Sequence, residues 1–149
     1  MVSVNVSPGG VPKHPIAGAR VGSVGLDGDS HVSPKHGGPL KAVCLYAVEP
    51  IERIAGEGHQ AFPGSYGENL TLAGLDWGSL RTGDRLRLGH AGPLLELTDN
   101  ATPCAKQAHW FIDERIDRIS ALLYPDDARW YASVVEEGPV APGDEVWLV

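Results

Sequence analysis

Cysteine is scarce: Cys44 and Cys104 are the two in 149 residues. They form neither a CxxC pair nor a disulfide framework, and two thiols cannot hold a four-cysteine iron–sulfur cluster. No apolar run approaches the roughly 18 residues that point to a membrane-crossing helix, so no membrane partner is expected. The opening Met1-Val2-Ser3-Val4-Asn5-Val6 lacks the charged stretch and apolar run of a secretory leader. A cytoplasmic protein with reduced thiols is the expectation. Lysine and arginine number 12 against 19 acids, a net charge of −7, so nothing supplies a broad basic footprint and no nucleic-acid partner is expected. No Gly-x-Gly-x-x-Gly turn offers a Rossmann-type flavin site, and no Gly-x-Ser-x-Gly elbow offers a serine hydrolase.

Glycine and proline are abundant, at 19 and 12 residues, which favours short strands joined by turns over a helical bundle. Val2, Val4 and Val6 alternate with polar residues and predict a strand with one buried face. Ser7 to Pro15 reads as loop. Ala42 to Val48 is a continuous apolar run and predicts a strand buried on both sides, which makes Cys44 a core residue. Glu49-Pro50 then opens a short helix, with Pro50 suited to its first position and Gly56 or Gly58 to its end. His90-Ala91-Gly92-Pro93 reads as a hairpin loop between strands Arg85–Gly89 and Leu94–Thr98. Thr82-Gly83-Asp84 and Pro142-Gly143-Asp144 are alike, each a Gly-Asp turn before an alternating strand. The fold expected is mostly β with minor α: a closed or nearly closed barrel decorated by short helices, in one domain over residues 1–149.

Cys104 is the residue with the clearest chemical promise. It lies where the strand ending near Thr98 gives way to a helix expected over Lys106 to Leu123, with Ile112, Ile116, Ile119 and Leu123 on its buried face. A thiol at such a junction meets free backbone N–H groups and the positive end of a helix dipole, which favour the thiolate. Lys106 acts in the same sense.

Charge is uneven along the chain. Residues 1–41 carry four Lys/Arg against two acids and hold three of the six histidines, while the remainder carries eight Lys/Arg against 17 acids. A locally basic, glycine-rich segment in an acidic protein suits a compact anionic ligand. Within it, Lys35-His36-Gly37-Gly38 and Lys41 offer positive donors beside backbone that a ligand can approach closely. Further on, Glu68 and Asn69 enter an apolar strand, where they either read the hydrogen-bonding edge of a heterocycle or cap the turn.

Several short motifs occur in a fixed order: Gly28-Asp29-x-His31, His36-Gly37-Gly38, Gly67-Glu68-Asn69-Leu70-Thr71, Gly83-Asp84, Glu96-x-Thr98, Pro103-Cys104 and Gly143-Asp144. With Gly10-Val11-Pro12-Lys13 at the start, this order resembles the MOSC domain, named for the C-terminal domain of molybdenum cofactor sulfurases, in its stand-alone bacterial form. The resemblance runs from about Ser7 to Val149. It implies a barrel-like domain that binds the pterin-based molybdenum cofactor, with the family's functional cysteine at Cys104. In relatives that reduce N-hydroxylated compounds this cysteine is a thiolate ligand to molybdenum; in the sulfurase setting it is viewed as a persulfide carrier. On that footing Lys13, Lys35, His36, Gly37, Gly38 and Lys41 would meet the phosphate or pterin. Glu68 and Asn69 would shape the same pocket, and Asn100 and Thr102 would lie beside the metal. One departure concerns charge, since the family often carries a basic residue where this chain has Ser30.

The resemblance implies first a small molybdoenzyme that reduces N-hydroxylated compounds. Its electrons would come from a separate flavin or iron–sulfur protein, because this chain has no site for either group. A non-catalytic carrier of the cofactor is the next reading, and a sulfur carrier using a Cys104 persulfide the third. Pyridoxal phosphate has no support: the four lysines, Lys13, Lys35, Lys41 and Lys106, stand in no recognisable Schiff-base motif.

Overall fold

The computed structural model describes residues 1–33 and 35–149. Its centre is β5 (Val43–Ala47), in which all five residues are buried. Such a strand must be covered on both faces, and its apolar run meets that need without alternation. It pairs in parallel with β6 (Leu70–Leu72) and antiparallel with β9 (Trp130–Glu136). The parallel pair needs a crossover, which α1 (Val48–Gly56) begins. Pro50 lies third in this helix, so the helix starts two residues before the position expected from proline alone. Ile51 and Ile54 bury its inner face, each contributing about 1.5–3 kcal/mol relative to exposure.

The remaining strands extend the sheet both ways. On one side lie β1 (Ser3–Val6) and β2 (His14–Ile16). Pro15 is tolerated in β2 because that strand is the sheet edge. On the other side lie β8 (Leu94–Asn100), β7 (Arg85–Leu88) and β11 (Val146–Leu148). The order is β11-β7-β8-β9-β5-β6-β1-β2, an eight-stranded sheet. A second, three-stranded sheet joins β10 (Gly138–Val140), β3 (Ala19–Gly22) and β4 (Gly25–Leu26).

The expected hairpin between β7 and β8 is present. So is the likeness of the two Gly-Asp turns. Asp84 accepts from the Arg81 N–H and Asp144 from the Ala141 N–H, both at 2.8 Å. Gly83 and Gly143 have φ of 92° and 95°, and the two strands they introduce pair with each other.

Two expectations are corrected. Mostly-β architecture holds, but among the described residues no strand pairing closes the sheet into a barrel. The sheet curls until the Met1 amino group donates to Asp144 O at 2.6 Å and Gly143 N–H donates to Met1 O at 2.9 Å. The edge strands β2 and β11 form no ladder with each other.

The second correction concerns the long helix expected over 106–123. The segment forms two short 3₁₀ turns instead, Ala105–Trp110 and Ile116–Ile119. Glu114 between them has φ of 56°, a left-handed conformation that an α-helix cannot contain. Ile119 is buried as expected, whereas Ile112 and Leu123 are 73% and 61% exposed.

Candidate active site

Cys104 and the ends of several strands frame a cleft of about 690 Å³, measured with its open mouth. Cys104 is half-buried and directly precedes the first 3₁₀ turn. Its position is set by Gln107: the Cys104 N–H donates to Gln107 Oε1 at 2.9 Å, and the Gln107 N–H donates to Cys104 O at 3.0 Å. The Gln107 amide then donates to Tyr66 O at 2.6 Å. Tyr66 is itself fully buried and stacked on Phe111. The thiol therefore stands on a rigid support, although the six-residue turn behind it is too short to carry the dipole expected of a long helix.

The same Tyr66 carbonyl accepts from Arg129 Nη1 at 2.5 Å, and Thr102 O accepts from Arg129 Nη2 at 3.4 Å. Arg129 is 4% exposed and lines the cleft. Its backbone is held where β8 meets β9, with the Ala101 N–H donating to Arg129 O at 2.9 Å. Across the cleft, Lys41 ends a short turn tied down by Thr98, whose hydroxyl donates to Leu40 O at 2.6 Å. Lys41 Nζ lies 5.2 Å from the centre of the Tyr131 ring.

The cleft lining is rich in cations and histidines. Lys13, Lys41, Lys106, Arg129, His31 and His36 contribute; among the described residues no aspartate or glutamate does. The electrostatic consequence is visible at His36, whose pKa lies below its ordinary value, first through partial desolvation and then through His31, Lys41, Lys106 and Arg129. Burial also holds the Tyr131 hydroxyl up to about 12, with Cys44 and Cys104 acting in the same direction. Cys44 reaches the cleft too, but burial pushes its thiol up to about 11.

The residues expected at the site separate into three groups. Cys104, His36, Gly37, Lys41 and Thr102 lie in the cleft lining. Gly37 has φ of 82°, a backbone conformation that favours glycine, and a Cβ there would lie 2.6 Å from the His31 ring. Lys13 and Asn69 also line it but are already engaged. Lys13 Nζ donates to both Asp29 oxygens at 2.6 and 2.8 Å. The Asn69 amide accepts from Cys44 N–H at 3.1 Å and donates to Asp29 at 2.9 Å and to Asn5 O at 3.4 Å. Lys35, Gly38, Glu68 and Asn100 lie outside the lining. Glu68 is fully buried, accepting from Gly64 N–H at 2.6 Å and the Thr71 hydroxyl at 3.1 Å. The Asn100 amide donates to Arg129 O at 3.3 Å.

Arg129, Gln107 and Tyr131 escaped the sequence reading. Gln107 had a signal: a glutamine three residues after a candidate cap is the spacing of a capping box. Arg129 follows Asp126-Asp127-Ala128 and reads as part of a charged surface turn; only the pairing of β8 with β9 buries it.

Residues 33–147 match the MOSC domain family. Protein YiiM of Escherichia coli strain K12 is 32% identical over 132 residues, covering 85% of this chain and 57% of that one. A protein named Reductase from Gibberella moniliformis is 28% identical over 131 residues, covering 85% of this chain and 23% of that one. The chain thus spans little more than half the length of one curated relative and about a quarter of the other. The crystal structure of YiiM from Geobacillus stearothermophilus superposes with a TM-score of 0.75 at 28% identity, over 99% of this chain and 73% of that one. The chain belongs to the MOSC domain family.

Proposed function

We propose that this protein binds the pterin-based molybdenum cofactor, with Cys104 as its thiolate ligand, and reduces N-hydroxylated compounds with electrons from a separate flavin or iron–sulfur protein. The observation that carries the reading is the composition of the cleft: a half-buried thiol among cations, with no acid among the described lining residues, in a protein of net charge −7. This donor set fits the group. A soft thiolate suits a transition metal, and cationic walls suit an anionic pterin phosphate. When bound, the cofactor would supply the two-electron redox chemistry that removes oxygen from an N–OH group.

The remaining roles belong to the chain. Gln107 holds the Cys104 backbone, so the thiol is presented in one place without reorganisation. Lys41, Lys106 and Arg129 would neutralise the anionic end of the ligand. Tyr131 keeps its hydroxyl proton at neutral pH and can donate a hydrogen bond into the cleft.

Molybdenum and pterin content test the reading, measured on native protein and Cys104→Ala from cofactor-competent cells. Near-stoichiometric metal and pterin in the native protein, with metal lost in the variant, is the expected result. Absence of both from the native protein would remove the reading. Loaded protein that reduces no N-hydroxylated probe with an artificial reductant would make the chain a cofactor carrier rather than an enzyme.

A further inference from the structure

Two cations reach the cleft from buried positions, and they differ in one respect. Lys13, 6% exposed, faces Asp29 at 2.6 Å, so the pair brings no net charge. Arg129 is 4% exposed and has no such partner. Among the described residues no carboxylate oxygen lies within 4.0 Å of it. Two of its nitrogens rest on main-chain carbonyls, while Nε is buried with no hydrogen-bond partner. An uncompensated buried charge costs several kcal/mol, and a buried donor left without an acceptor adds to that cost. An anion entering the cleft beside Arg129 would offset the charge.

We infer that Arg129 is the anchoring cation of an anion site in the Cys104 cleft, built for the phosphate-type end of a larger molecule. A guanidinium presents donors in a planar fork that matches phosphate oxygens. Lys106 and Lys41 line the same cleft and, with Arg129, supply three positive charges, enough to balance a phosphate dianion. The cleft is lined by residues from Gly10 and Val32 to Cys104 and Tyr131, more than one inorganic ion can touch, so the anion is one end of its ligand. Neither Lys13, neutralised by Asp29, nor Lys35, outside the lining, can take this role. Ser30, also in the lining, brings no charge. The identity of the ligand as the pterin cofactor rests on the function proposed above; the anion chemistry does not.

The test is a titration of the full chain with inorganic pyrophosphate, followed through arginine Nε–H signals by nitrogen-edited NMR. The Arg129 signal is identified by its loss in Arg129→Lys, a variant that keeps a cation in the buried position. The expected result is a saturable shift of that signal, with affinity about tenfold weaker in Arg129→Lys, one charge-assisted hydrogen bond's worth. Lys106→Gln should weaken binding several-fold and Arg115→Gln, on the exposed turn, should leave it unchanged. An Arg129 signal that does not move at saturating pyrophosphate would overturn the inference. So would equal affinity in Arg129→Lys, or no binding at all.

Protein from cofactor-competent cells separates the sources of the anion. Loss of pterin in Arg129→Lys makes the cofactor the source. Pterin retained in Arg129→Lys, with pyrophosphate shifting the Arg129 signal of native protein, makes a phosphorylated substrate the source. Pyrophosphate binding by protein that carries neither metal nor pterin keeps the anion site and removes the cofactor reading. Loaded and stripped protein with identical Arg129 signals, both unmoved by pyrophosphate, overturn the anion site alone.

Discussion

Asp29→Asn changes one atom and should destabilise the protein severely. Asp29 accepts from Lys13 Nζ at 2.6 and 2.8 Å, from the Ser7 N–H at 2.9 Å and from the Asn69 amide at 2.9 Å. Asparagine can keep the Ser7 bond, but its NH₂ would then point at two donors, Lys13 and Asn69. Lys13 would keep one bond to the remaining oxygen but lose its buried counter-charge. Removing one partner of a buried pair costs about 3–5 kcal/mol. For a domain of this size, each kcal/mol lowers the melting temperature by about 2–4 °C, so a fall of about 6–20 °C is expected. Lys13→Met should cost less, about 1–3 kcal/mol, because Asp29 retains the Ser7 and Asn69 donors. The double variant should be more stable than the sum of the two losses predicts. It should also keep pyrophosphate affinity within about threefold, since the pair contributes no net charge. Urea and thermal unfolding of the three variants give the numbers. A loss below about 1 kcal/mol in Asp29→Asn, or a larger loss in Lys13→Met, would refute the reading of Lys13 and Asp29 as a buried ion pair in which Asp29 compensates the lysine charge.

Gly64→Ala should cost about 3 kcal/mol or more, because a Cβ there would meet Lys13 O at 2.2 Å at a φ of 89°. Gly83→Ala, with a similar φ of 92° and nothing within 4 Å, should cost about 1 kcal/mol; equal losses in the two would contradict the steric argument. Alkylation by iodoacetamide at pH 8, read by peptide mass, should modify Cys104 and spare Cys44, which is buried with its thiol pushed up to about 11. Modification of Cys44 at the same rate in folded protein would show that the cleft floor is open. Desolvation holds the buried Glu68 carboxyl above its ordinary value of 4.5, so the folded chain binds that proton more tightly than the unfolded chain. The resulting stability is full below about 4.5 and is lost as pH rises through the folded value. The stability difference between native protein and Glu68→Gln should therefore shift against the native protein across that window, measured by denaturation at a series of pH values. A constant difference would count against it.

Local signals in this chain were legible where local chemistry decides the outcome. The apolar run at Ala42 to Val48 became the buried strand β5, and the Gly-Asp turns, identical down to the carboxylate that closes them, became the entries to β7 and β11. The helix expected over 106–123 failed because a spacing of three to four apolar residues fits two short turns as well as one long helix. Periodicity carries no mark of the left-handed Glu114 between them. At β1 the alternation of valines predicted one buried face, yet only Val4 is buried: Val2 is 40% exposed, Val6 is half-buried, and Ser3 and Asn5 are buried at 8% and 0% exposure. Their burial follows from the polar network with Thr71 and Asn69, which is invisible until β6 lies alongside.

What the sequence alone determined is the mostly-β character, the family motifs and the prominence of Cys104, because each is set by residues close together in the chain. Which charges act at the cleft was decided only by the tertiary structure. Asp29 neutralises Lys13 from sixteen residues away, and Gln107 and Arg129 converge on the carbonyl of Tyr66 from 41 and 63 residues away. Whether the sheet closes was likewise a tertiary question: strand count and turn type are local, but closure depends on how tilt and curl bring the first and last strands together. A side chain's type is written in the sequence, whereas its charge balance depends on which groups the fold places within a few ångströms of it.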